Sequence, residues 1–131
     1  MVPVYIAADN ITSPLGNTTR QNYDAVRSGA TAIRQVDDTT LSPVPFYAAM
    51  FASGSFAANQ AYTRFENLCV ASISEALANT TINVTSPDTL FILSTTKGNI
   101  ELIEQGEVNE EVQQRVSLFN TAKRISGHFG S

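Results

Sequence analysis

Apolar residues fall in short clusters separated by Pro, Gly, Asn and Asp, and the spacing inside each cluster sorts them into strands and helices. Residues 4–8, Val-Tyr-Ile-Ala-Ala, form a brief run partly of β-branched and aromatic residues, closed by Asp9-Asn10, the pattern of a strand running into a loop. Ser13-Pro14-Leu15-Gly16-Asn17 then punctuates the chain. Thr18 and Gln21 stand at capping-box spacing, predicting a helix that turns Tyr23 and Val26 inward and stops at Gly29. Residues 30–61 hold no helical period and contain Pro43, Pro45 and Gly54, so an irregular excursion is expected, with an edge strand over 45–50.

The clearest element spans residues 62–78. Thr63 and Glu66 fit a capping box, and Phe65, Leu68, Cys69, Ile73, Ala76 and Leu77 recur along one stripe, predicting a helix with a buried face. A polar, turn-rich stretch over 79–88 precedes Thr89-Leu90-Phe91-Ile92-Leu93, an unbroken apolar run suited to a central strand covered on both faces. The small-residue loop 94–99 follows, then one or two helical turns over 100–105 and a helical stretch over 110–125 that ends near Gly127. Alternating strands and helices indicate an α/β fold with a helix-packed sheet, and the length of 131 residues suits one domain over 1–131.

Composition narrows the chemistry. With 43% hydrophobic and 15% charged residues the chain reads as globular. Met1-Val2-Pro3-Val4 lacks a basic n-region and no long apolar run exists, so neither signal peptide nor membrane span is expected and the protein reads as cytoplasmic. The net charge is −4 and Lys and Arg are scattered, which disfavours nucleic acid and anionic membrane as partners. Glu101, Glu104, Glu107, Glu110 and Glu111 form an acidic run that reads as a solvated surface, and the sequons at Asn10, Asn17, Asn79 and Asn83 read as accidental. One cysteine and one histidine cannot build a disulfide framework or a zinc site, and no cofactor is expected.

Cys69 is the sole candidate thiol nucleophile, but its place on the apolar stripe predicts a core residue, away from any helix N-terminus that would activate it. His128 has no nucleophile elbow to serve and reads as structural. Loop 94–99 has the residues of an anion-binding turn yet lacks phosphate-loop spacing, so the match is weak and an ordinary strand-to-helix turn is the better account of the same residues. On this reading the chain could also be a small α/β binding domain that uses the loop.

Ser13-Pro14-Leu15-Gly16-Asn17, the helix with Tyr23, then Arg27-Ser28-Gly29 and Ile33 together resemble the N-terminal segment of the β-ketoacyl-acyl carrier protein synthases, the condensing enzymes. Further landmarks follow in the family's order. Arg64-Phe65 opens a helix closed by Glu75-Ala76-Leu77, a strand and loop lead into Leu102-Ile103-Glu104, and a last helix ends in Ser126-Gly127-His128. The resemblance implies the opening portion of a thiolase-like fold, in which two similar α/β halves pack together and usually pair with a second subunit. It implies a parent acyltransferase performing decarboxylative condensation of the fatty acid or polyketide type, with acyl carrier protein as partner. Family members are much longer, and their nucleophilic cysteine lies beyond the point matching His128, with two catalytic histidines later still. No catalytic residue is therefore expected in this chain, Cys69 matches a helix position, and His128 matches a packing residue.

By the same resemblance, Thr95, Thr96, Lys97, Gly98 and Asn99 border the acyl pocket near the dimer seam. Lys97 departs from the apolar residue usual there, and an ammonium buried at that point would need a partner. Ala8-Asp9-Asn10 departs from the family's Gly-x-Gly turn. A synthase fragment is expected to form a homo-oligomer or to join a missing C-terminal remainder. The alternative is a non-catalytic partner subunit that associates with a complete condensing enzyme.

Overall fold

A computed structural model describes residues 3–56, 59–104, 106 and 108–130. The chain divides into two compact units, Met1–Ser55 and Phe56–Ser131. Together their described residues make a small mixed α and β protein with five helices and one two-stranded antiparallel sheet.

In the first unit, Ser13 and Gly16 exchange backbone hydrogen bonds of 2.9 and 3.0 Å across a tight turn that Pro14 helps to set. Gly16 is required by crowding, since a Cβ there would lie 2.5 Å from Cβ of Gln21. Helix α1, Thr19–Arg27, follows, with the hydroxyl of Thr18 accepting from the Gln21 amide. Gln21 completes the cap one residue further out than a capping box would, since its Oε1 accepts from the Asn17 amide at 2.7 Å.

The inward face of α1 differs from expectation. Tyr23 and Val26 are exposed and Asn22 is the buried residue. The reason lies in the preceding loop, whose carbonyls need a donor that an apolar side chain cannot supply. Strands β1, Ile33–Val36, and β2, Phe46–Ala49, pair antiparallel with Ile33 opposite Ala49 and Val36 opposite Phe46. The expected edge strand over 45–50 is therefore present, whereas its partner lies in the stretch read as irregular.

Residues 4–8 form no strand, and Val4 is 95% exposed. A strand exists only through a partner row of backbone groups, and these residues have none among the described ones.

The second unit is helical. Helix α2, Arg64–Leu77, opens with the expected capping box, Thr63 accepting from the Glu66 amide and Glu66 from the Thr63 amide. Helix α3 is the single turn Glu101–Glu104; the expected end of that element at Gln105 lies outside the described residues. The stretch expected to be one helix is two, α4 Glu110–Val116 and α5 Leu118–His128. Ser117 breaks it with φ −58° and ψ 124°, an extended conformation that no helix interior accommodates.

Packing runs between α2 and α5, α3 and α4, and α4 and α5. Ile125 is the buried hydrophobic residue among those described, while the stripe residues of α2, including Phe65, Leu68 and Ile73, are half-buried. Residues 89–93 form no strand, with Leu90 80% and Ile92 78% exposed. The helix-packed mixed sheet read from the alternation is thus absent from the described residues, because both of its clearest apolar runs lack a pairing neighbour. No helix among the described residues is long and apolar enough to cross a membrane.

Candidate functional site

The second unit centres on polar side chains. Glu66, Asn99 and Thr121 are fully buried, and Thr63 and Asn67 nearly so. Charge in such a place is costly unless it is paired and hydrogen-bonded, and here it is both.

Helix α2 delivers the first pair. As the N3 residue of its capping box, Glu66 turns its carboxylate back over the helix start, where Oε2 accepts from the Thr63 amide at 3.0 Å. The same oxygen accepts from Nη2 of Arg115 at 3.0 Å and lies 3.8 Å from Nε of Arg124. Arg124 also donates to the Ala61 carbonyl at 2.6 Å and sits 5.7 Å from the Tyr62 ring centre.

The loop 94–99 delivers the second. Oγ1 of Thr95 accepts from the amides of Lys97 and Gly98, closing a small turn. Gly98 has φ +54°, a left-handed conformation that favours glycine, and a Cβ there would lie 2.8 Å from Cδ2 of Leu118. Both features set the next side chain in place. Asn99 Oδ1 accepts from the Thr63 hydroxyl at 2.6 Å. Its Nδ2 donates to Glu66 Oε1 at 2.9 Å, to the Arg115 carbonyl at 2.9 Å and to Thr121 Oγ1 at 3.2 Å. One amide thereby ties α2, the loop, the end of α4 and the start of α5. The break at Ser117 makes this possible, because it frees the Arg115 carbonyl from the helical ladder and lets Thr121 turn its hydroxyl inward.

A small apolar cavity of about 230 Å³ lies beside the same helix, with Tyr62, Val70 and His128 in its wall. Tyr62 Oη is 3.3 Å from Nδ1 of His128, and their rings meet edge to face with centres 5.6 Å apart. Phe129 meets His128 on another side, with centres 4.9 Å apart. Cys69 is half-buried on α2, and burial first, with the Glu66 carboxylate second, pushes its thiol up to about 11. That is the opposite of an activated nucleophile. Among the described residues no three His, Cys, Asp or Glu side chains come together as a metal cluster.

Of the loop residues singled out by sequence, the structure brings only Asn99 into the buried network. Gly98 is buried beside it, Thr95 closes the turn, and Thr96 and Lys97 are exposed, so the Lys97 ammonium meets no desolvation cost. Sequence reasoning missed Arg115, Thr121 and Arg124 altogether, and recognised Thr63 and Glu66 only as a helix cap. A signal was available for Glu66: it lies one position from the apolar stripe of α2, so a carboxylate there must either leave the core or find cations.

No protein-family model, curated protein or solved structure matches the chain.

Proposed function

We propose that the chain is the N-terminal portion of a β-ketoacyl-acyl carrier protein synthase-like acyltransferase, with a thiolase-like fold, in which these residues frame the acyl pocket and supply no reacting group. In such a parent an acyl group passes from carrier protein to a cysteine, and decarboxylation of a malonyl thioester yields the carbanion that attacks it. Covalent catalysis divides the reaction into two accessible steps. The sequence landmarks, in family order, support the reading. The observation that carries it lies within the second unit, where the opening of α2, the loop 94–99 and α5 are joined through Asn99. A pocket-bordering loop anchored to two helices is suited to fixing the length of an acyl chain.

The exposed Val4, Tyr5, Ile6, Leu90 and Ile92 support a second reading within the same family, a non-catalytic subunit that covers these side chains with a complete synthase. In either case acyl carrier protein is the partner of the catalytic assembly, and a second copy or a C-terminal remainder supplies the missing cover.

Intact mass together with the reading frame downstream of Ser131 separates the two. A frame that continues through a strand and a cysteine-bearing turn supports the catalytic parent, and one that stops supports the partner subunit. The 131-residue chain alone should turn over no acyl thioester with malonyl-carrier substrate. Measurable condensation by it would overturn both readings.

A further inference from the structure

The chain has eight Lys and Arg residues against twelve acids, yet three of the eight line one cleft in the second unit. Arg115 enters it from the last turn of α4, and Lys123 and Arg124 from α5, with Gln114 and Asn120 completing a space of about 400 Å³. The break at Ser117 folds the two helices so that these cations share one opening.

Their charge is under-compensated. Glu66 pairs with Arg115 and lies near Arg124 from the buried side, and no ion pair engages Lys123 among the described residues. Three cations therefore face one carboxylate. Nη1 of Arg115 is moreover buried without a hydrogen-bond partner among the described residues, so this guanidinium is not fully neutralised by Glu66. Asn120 and Gln114 are already oriented, Nδ2 of Asn120 donating to Oε1 and the carbonyl of Gln114 at 2.8 and 3.0 Å. Nε2 of Gln114 remains as a further donor.

We propose that this cleft binds a phosphate-type dianion, free or as a small monoester. A dianion matches the excess of two positive charges, and guanidinium and ammonium groups are the side chains that bind phosphate oxygens most strongly. This site is independent of the condensing-enzyme reading, which needs no anion there.

The test is titration of the 131-residue chain with inorganic phosphate and, separately, with methyl phosphate at constant ionic strength, following the backbone amides of residues 114–124 by NMR. Saturable shifts are expected, weakened about tenfold in Lys123→Glu and less in Lys123→Gln. Arg34→Glu, which changes the net charge equally on strand β1, should bind as the wild type does. Tighter binding of methyl phosphate assigns the site to an ester, and tighter binding of inorganic phosphate assigns it to the free ion. Shifts that do not saturate, or equal affinities for Lys123→Glu and Arg34→Glu, would overturn the proposal. Lys123 makes no side-chain contact in the buried network, so its variants leave the fold intact, which far-UV circular dichroism checks.

Discussion

Each unit is organised by a buried asparagine, but Asn22 and Asn99 act over different distances along the chain. Asn22 donates to the carbonyls of Ile11, Gly16 and Thr18, each at 2.9 Å, and accepts from the Ser13 hydroxyl, so its partners all lie within eleven residues. Asn99 reaches Thr63, Glu66, Arg115 and Thr121, up to thirty-six residues away. The first network closes a loop whose ends are already near, at small entropic cost. The second exists only when four separate segments are folded at once. A local network can therefore fail locally, whereas the long-range one should fail as a unit.

The largest effect is expected from Glu66→Ala. It removes the acceptor shared by Thr63, Asn99 and Arg115 and leaves the Arg115 guanidinium without its carboxylate, at a cost of about 3–5 kcal/mol. Urea unfolding followed by circular dichroism reads the loss; a cost no greater than that of Asn22→Ala would show that the buried network is not what holds the second unit.

Asn22→Ala comes next, at about 1–3 kcal/mol, since three loop carbonyls lose their side-chain donor. Amide exchange should quicken across residues 11–22 and stay unchanged in α2 and α5. Protection lost in α5 would erase the distinction between local and long-range networks.

Gly98→Ala should cost about 1–2 kcal/mol, mostly from the left-handed backbone, because the Leu118 side chain can shift away from the added methyl. An unchanged unfolding midpoint would mean that the left-handed turn at Gly98 is not what sets Asn99 in place.

The smallest effect concerns Cys69. Its folded thiol is held near 11, above the unfolded thiol at about 8.5, so the protonated form favours the folded state. The contribution is fully present below the unfolded value and is lost as pH rises through about 11. Alkylation by iodoacetamide at neutral pH should be slow in the native protein and fast in urea, and equal rates would contradict the burial.

Legibility in the sequence followed the same division. Capping signals were local and read well: Thr18 and Thr63 both open helices where expected, and Pro45 preceded a real strand. Apolar periodicity misled wherever burial depended on a distant neighbour. Residues 4–8 and 89–93 have strand composition but no partner, and Tyr23 and Val26 lie outward because loop carbonyls took the inward face of α1 for Asn22. The helix break at Ser117 left no mark, since no proline or glycine occupies residues 110–125. Long-range polar partners are equally silent: nothing adjacent to Arg115 or Thr121 announces Asn99 or Glu66, and only the folded chain brings them together.

Native-state hydrogen exchange of Asn99→Ala tests the long-range network most directly. If Asn99 ties the segments, protection should fall together at the start of α2, at residues 98–102 and in α5 around Thr121 and Ile125. Loss confined to residues 98–102 would contradict it and reduce Asn99 to a loop residue.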